Sequence, residues 1–216
     1  MSNSPDRGAS FWTKAAPGYA RKPLKDPGAN EALLVRVSEP IPDGARVLEI
    51  GCGTGLNALK LARMNPSWSI LATDYSAGMI EVANERIVDG SPSNLSFSCG
   101  DALEATSNQA GLNAVLAFSV IHLVVDLEPL LKSIHANLEP GGLFAMVTPC
   151  LGDMAWYIRP LVRAGAALRL IPPVALLNRT GLIDSLERAG FEIVTPPEVG
   201  VDAPLFVARK QVQTGC

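Results

Sequence analysis

The sequence predicts an α/β fold. It is a doubly wound, mostly parallel sheet of seven strands with an antiparallel strand at the C-terminal end. Three observations predict it. Between residues 45 and 148, short apolar runs alternate with stretches of helical periodicity, the pattern of a parallel sheet covered by helices on both faces. The first apolar run passes directly into the glycine-rich turn Gly51-Cys52-Gly53-Thr54-Gly55. Two further runs, Phe191 to Thr195 and Leu205 to Arg209, read as closing strands near the end of the chain.

Met1 to Asp26 is rich in Pro, Gly, Ser and basic residues. It reads as an N-terminal tail and lid segment (residues 1–26), with the first eight residues mobile. Phe11, Trp12 and Tyr19 make Ser10 to Ala20 apolar enough to pack on the domain that follows. Residues 27–216 read as one domain. A helix is expected from Ala29 to Glu39, closed by Pro40 and Pro42. Strands follow at Arg46–Ile50, Ser69–Thr73, Leu95–Cys99, Asn113–Phe118 and Leu143–Thr148, with helices at Leu56–Met64, Ala77–Val88 and Leu127–Leu138 between them. Glu139-Pro140-Gly141-Gly142 reads as the turn before the fifth strand. Residues 150–177 form a helical insertion, apolar but punctuated by Arg159, Arg163 and Arg169. Asn178 or Thr180 caps a last helix that stops at Gly190.

Composition narrows the function classes. Of 216 residues, 48% are apolar and 18% charged, which specifies a packed globule rather than a disordered chain. A net charge of −3 gives no global attraction to nucleic acid. The four cysteines, Cys52, Cys99, Cys150 and Cys216, form no CxxC pair, and only two histidines accompany them, so no metal site is expected. Met1 to Ser10 lacks an apolar core, which argues against a signal peptide and for a cytoplasmic protein with reduced thiols. The apolar stretch Gly111 to Val125, uncharged throughout, falls short of the roughly 20 residues a membrane span needs.

A strand running into Gly51–Gly55 places ligand-accessible backbone at the carboxyl end of the sheet, where open α/β folds bind ligands. Glu49 stands just before the turn, where a carboxylate suits an ammonium group. Asp74 ends the second strand 23 residues after Gly51, where an acid suits ribose hydroxyls. Asp74 also suits the start of the following helix. The glycines fall as G-x-G-x-G, with Leu56 where the dinucleotide pattern requires its last glycine. That spacing favours S-adenosylmethionine (SAM) over NAD.

Val47-Leu48-Glu49-Ile50-Gly51-Cys52-Gly53-Thr54-Gly55 resembles the first motif of the class I SAM-dependent methyltransferases. Leu71 to Ser76 with Met79 resembles the second, Cys99-Gly100-Asp101-Ala102 the third, and Ala117 to His122 the fourth. Leu138 to Leu143 resembles the post-helix turn of the ubiquinone/menaquinone-type small-molecule branch. The resemblance implies a Rossmann-like fold, SAM as cofactor, S-adenosylhomocysteine (SAH) as product, and a small-molecule acceptor. It implies that Gly51, Gly53 and Gly55, with Cys52 between them, meet the methionyl part while Glu49 holds its ammonium. Asp74 is assigned to the ribose, Tyr75 and Met79 to the flanks of the adenine, and Asp101 and the backbone of Ala102 to its edge. Phe118, Ser119 and His122 are assigned to the passage beside the sulfonium, and Tyr19 to a lid over the cofactor. Two departures stand out. Asn113 begins the fourth strand where an acid is common, and the Asn/Asp-Pro-Pro-Tyr signature of nucleic-acid amino-methyltransferases is absent.

His122 is the candidate general base, with a shape-giving loop histidine as the competing reading. His135 is expected to face solvent or a neighbour, and Cys150 to be a buried thiol. The acceptor pocket is expected from Ser10–Tyr19 and Cys150–Val174, including Met154, Trp156, Tyr157 and Ile158. Its apolar character points to a hydrophobic or aromatic acceptor. Arg159 and Arg163 are read as a solvated face. A non-catalytic SAM-binding regulatory or scaffold protein, and a nucleotide-cofactor oxidoreductase, are the other classes weighed.

Overall fold

The computed structural model describes residues 5–88, 90–154, 158–168, 171–172, 174–195 and 201–212. Two helices lead in, α1 (Pro5–Ala20) and α2 (Pro27–Ser38). The alternating region contains β1 (Arg46–Ile50), α3 (Leu56–Met64), β2 (Ser69–Asp74), α4 (Ala77–Glu85), β3 (Leu95–Cys99), α5 (Ala102–Ser107), β4 (Leu112–Phe118), α6 (Leu127–Asn137) and β5 (Leu138–Val147). Then come α7 (Ile158–Ala167), α8 (Arg179–Arg188), β6 (Phe191–Thr195) and β7 (Leu205–Lys210).

The seven strands form one sheet in the order β3-β2-β1-β4-β5-β7-β6. β1 to β5 are parallel. β7 runs antiparallel to both β5 and β6. The central strands are buried on both faces because successive side chains point to opposite sides. In β4 and β5, Ala114, Leu116, Leu143 and Ala145 enter one core with α2 and α3. Val115, Ala117, Phe144 and Met146 enter the other with α6 and α8. The order reverses between β1 and β4, which opens a crevice beyond their carboxyl ends.

Several boundaries differ from the sequence expectation, each for a local reason. The helix α1 begins at Pro5, so the described part of the stretch expected to be mobile, Pro5 to Gly8, is helical; residues 1–4 lie outside the described residues. It packs along α4, where Gly78 admits it: a Cβ there would stand 2.9 Å from the Thr13 carbonyl oxygen. The Thr13 and Ser76 hydroxyls are 3.0 Å apart at the same contact. The helix α4 stops at Glu85 rather than Val88. The short helix α5 was not expected; Asp101 caps it by accepting from the Leu103 N–H at 2.9 Å. Glu139-Pro140-Gly141-Gly142 is not a separate turn. It lies within β5, which pairs Leu138 with Leu112, shifts register, and resumes at Leu143 opposite Ala114. Gly141 takes φ +81° within the irregular stretch. Asn178 rather than Thr180 caps α8. Asn113 has the structural use its position suggests, its Oδ1 accepting from the Arg46 N–H.

Candidate functional site

Three cavities converge on the crevice. The largest, about 610 Å³, lies over the glycine turn. Ten of the residues singled out by sequence line it: Tyr19, Glu49, Gly51, Cys52, Gly53, Asp74, Tyr75, Met79, Phe118 and Ser119. A second, about 260 Å³, takes Asp101 and Ala102, and shares Gly51, Tyr75, Val120 and Leu123 with the first. A third, about 520 Å³, lies on the other side of Trp12, Tyr19, Lys22 and Leu123, and His122 lines it.

The glycine turn is held from both sides. The Cys52 N–H donates to the Thr73 carbonyl, and the Gly53 N–H donates to Asp74 Oδ2 at 2.9 Å. The other oxygen of Asp74 accepts from the Ser76 N–H at 2.9 Å. Asp74 therefore ties the turn to the start of α4, while Ser76 caps that helix by accepting from the Met79 N–H. Both readings of Asp74 meet here, since it lines the cavity and organises the helix start. Gly51 (φ +66°) has no room for a side chain: a Cβ would stand 2.3 Å from Val120 Cγ2. Gly55 does not line the cavity. It adopts φ +73° at the start of α3, and a Cβ there would collide with Phe97.

Glu49 is 1% exposed, and its Oε2 has no hydrogen-bond partner. Burial, reinforced by the charge of Asp74, pushes its carboxyl up to about 8. Burial also raises Asp74 above its ordinary value, against the two backbone donors. Cys52 is buried in the turn. Desolvation and the neighbouring acids Glu49 and Asp74 push its thiol well up, which makes it a small packing group rather than a nucleophile. Tyr75 is half-buried and pushed up to about 12 by burial and by Asp74 and Asp101, so its hydroxyl stays neutral. Gly8 of α1 sits against that hydroxyl, where a Cβ would come within 2.6 Å.

At the end of β4, Ser119 takes φ +58°, the one non-glycine residue with positive φ among the described residues. Such backbone is strained for a side-chain-bearing residue and is characteristic of sites. Its N–H donates to the Val147 carbonyl at 2.7 Å. The next residues wind into a short 3₁₀ turn, Ile121–Leu123, that carries His122. Burial lowers the pKa of His122, and its Nδ1 is buried without a partner. The ring is therefore neutral at neutral pH.

The third cavity combines the two segments expected to build an acceptor pocket. Phe11, Trp12 and Ala15 come from α1, and Leu151, Val162, Ile171 and Val174 from the insertion. Met154 and Ile158 are half-buried but do not line it; Trp156, Tyr157 and the side chain of Arg163 lie outside the described residues. Arg159 is exposed, as a solvated face requires, and its guanidinium also donates to the Gly152 carbonyl. Cys150 is buried, as expected. His135 faces a neighbour: its Nε2 is 3.2 Å from the Gly190 carbonyl oxygen, and its ring meets Phe191 edge-on. Tyr19 is 48% exposed at the junction of two cavities, its ring edge-on to Trp12.

Sequence reasoning placed Trp12 only within the acceptor-side stretch Ser10–Tyr19 and Val120 only within the fourth motif, and did not assign Lys22, Arg86 and Leu123 to the site. For Trp12 the usable signal was its place beside Phe11 and Tyr19 in the apolar stretch Ser10–Ala20. Arg86 had none, because it reaches the cavity only through the packing of α4 under α1.

The described residues contain no cluster that could hold a metal ion, and no helix long and apolar enough to cross a membrane. A sheet of this order with a ligand cavity at its glycine turn defines the class I methyltransferase architecture. A family model described as a methyltransferase domain matches residues 41–169, more than half of the chain, and the chain belongs to that family of class I SAM-dependent methyltransferases. It is similar to a trans-aconitate 2-methyltransferase of Variovorax paradoxus, 31% identical over 119 residues, covering 55% of this chain and 43% of the relative. It is 32% identical over 136 residues to a malonyl-[acyl-carrier protein] O-methyltransferase of Magnetococcus marinus, covering 62% of this chain and 49% of the relative. The chain thus spans about half the length of these curated relatives. Among solved structures, a phosphoethanolamine N-methyltransferase 2 of Haemonchus contortus shares the fold. Its TM-score is 0.71 at 19% identity, over 98% of this chain and 60% of that one.

Proposed function

We propose that the chain transfers the methyl group of SAM to a small hydrophobic or aromatic acceptor. The observation that carries this reading is the pair of cavities on either side of Trp12, Tyr19, Lys22 and Leu123: one at the glycine turn with polar walls, the other predominantly apolar. The residues present fit the cofactor. The buried, unpartnered Oε2 of Glu49 requires a donor, which the amino-acid ammonium supplies. Asp74 retains lone pairs for ribose hydroxyls beyond those used by Gly53 and Ser76. Tyr75, Met79, Asp101 and Ala102 are assigned to the adenine, and Gly51, Cys52, Gly53, Phe118 and Ser119 to the methionyl part and the sulfonium. Gly55 shapes the turn without touching the ligand.

SAM supplies an activated methyl group that leaves sulfur by in-line displacement, the bonding pair staying on sulfur. The protein then has to orient and desolvate. Trp12 and Tyr19 hold the acceptor side against the cofactor side. His122, kept neutral by burial on the acceptor cavity, takes a proton when the accepting atom carries one. The acceptors named for two relatives, trans-aconitate and malonyl-[acyl-carrier protein], support a target other than nucleic acid.

The test is to incubate the protein with methyl-labelled SAM and a small-molecule extract. Label is expected in an apolar low-mass product, at a rate cut about a hundredfold or more in His122→Gln where a proton must be removed. Tight SAH binding with no label in any product sinks methyl transfer and leaves a non-catalytic SAM-binding protein.

A further inference from the structure

The charges of the chain are unevenly placed. Residues 7–25 and 154–177 hold eight of its 18 Lys and Arg and none of its 21 Asp and Glu. The first segment forms most of α1 and the connection after it, and the second forms the insertion around α7. Both wall the apolar cavity. The net charge of −3 thus conceals a basic side on a chain whose remainder is strongly acidic. Arg21, Lys22, Lys25 and Arg159 are exposed, and none joins an ion pair found among the described residues.

The same two segments expose apolar side chains. Leu161 (73%) and Leu168 (70%) are the most exposed large apolar residues among those described. They stand seven positions apart, on one side of the helix, and the Leu168 N–H still donates to the Ala164 carbonyl at 2.9 Å. Pro160, Ala164 and Ala167 are exposed on that side as well, so the outer face of α7 is apolar, with Arg159 at its flank. The inner side is apolar too. Ile158, Val162 and Ala166 are half-buried there, and Val162 lines the cavity. Leu161 and Leu168 line none of the three cavities.

We propose that this side of the molecule docks on an anionic lipid surface, with Leu161 and Leu168 in the hydrocarbon boundary and the exposed cations against the headgroups. A basic rim around a bare apolar helix face is complementary to such a surface in both charge and polarity. Cations alone would suit any polyanion. The leucines decide between them, because a nucleic-acid backbone offers nothing to an apolar face. With ten residues, α7 lies along the interface rather than across it. The exposed Tyr19, Lys22 and Ile171 at the rim of the apolar cavity then face the lipid. An apolar acceptor has a route into the cavity that avoids water, and that last step alone rests on the proposed function.

The test is co-sedimentation of the full chain with vesicles of phosphatidylcholine alone and of phosphatidylcholine mixed with phosphatidylglycerol. The wild-type chain is expected to bind the anionic vesicles about tenfold or more tightly than the neutral ones, and to lose that preference as salt screens the headgroups. Leu161→Gln combined with Leu168→Gln should weaken binding to anionic vesicles about tenfold or more, since two apolar side chains no longer enter the interface. Arg159→Gln should weaken it severalfold. SAH affinity, read by calorimetry, should stay within about twofold of wild type in each variant, which also reports a folded chain. Binding indifferent to vesicle charge, or unaffected by the leucine pair, overturns the proposal. So does equal affinity for a duplex oligonucleotide, or a lipid-free dimer that the leucine substitutions dissolve, which would give this face to a second copy. Vesicle binding by a wild-type chain that binds no SAH would sink the proposed function and leave the docking standing.

Discussion

The cavity at the glycine turn and the apolar cavity beside it share a wall, Trp12, Tyr19, Lys22 and Leu123, yet they are built by different rules. The first is assembled from the ends of parallel strands. Its glycines are forced by backbone geometry, as where Gly51 meets Val120, and Asp74 is held by backbone donors. Few residue types satisfy such constraints. The second is assembled from the face of α1 and the insertion around α7, where Phe11, Ala15, Val162 and Ile171 need only be apolar and of suitable size. The difference teaches that the cavity at the glycine turn is fixed by the fold, whereas the apolar cavity is a lining that a few substitutions can reshape.

The sharpest way to break that contrast is to charge the apolar lining, which the proposed function gives to the acceptor. Val162→Asp places a carboxylate in the cavity that Phe11, Ile171 and Val174 also line, and a charge on an apolar wall is strongly unfavourable for an apolar ligand. The expected result is a loss of about a hundredfold in kcat/KM for the acceptor with SAH affinity unchanged. A comparable fall in SAH binding would mean that the two cavities are not separate. Steady-state kinetics alongside calorimetry reads both.

A smaller effect sharpens the cofactor side. Glu49 is raised from an ordinary carboxyl value to about 8. A raised folded pKa means that the free protein holds a proton there, so its contribution to stability is fully present below about pH 4.5 and lost as pH rises through about 8. An ammonium ligand reverses the preference and expels the proton. SAH affinity should therefore rise severalfold between pH 6 and 8, with proton release on binding, and level off above. Glu49→Gln should flatten the profile. Calorimetry in buffers of different ionisation enthalpy detects the proton; a flat wild-type profile would remove Glu49 from the ammonium.

This contrast also explains what was legible in the sequence. Gly51, Gly53, Glu49 and Asp74 could be found because strand, turn and acid stand at fixed separations along the chain. The sheet was legible for the same reason, through runs such as Ala114–Phe118 that are buried on both faces. Gly55 was grouped with the ligand-facing glycines, and does not line the cavity, because sequence spacing does not separate such a glycine from one that admits Phe97. The helix α5 was missed because six residues carry too little periodicity, and the start of β5 because Pro140-Gly141-Gly142 carries the signal of a turn. Trp12 and Arg86 come to the cavity wall where α1 packs on α4, a contact permitted by Gly78 and invisible in either segment alone.

The most direct measurement is a calorimetric titration of the wild-type chain and of Asp74→Ala with SAH and with NAD. The wild-type protein is expected to bind one equivalent of SAH and no NAD. Asp74→Ala should lose about tenfold to a hundredfold in SAH affinity, through both the ribose and the Gly53 turn it organises. Binding of NAD in place of SAH, or an SAH affinity indifferent to Asp74, would contradict a SAM site at the glycine turn.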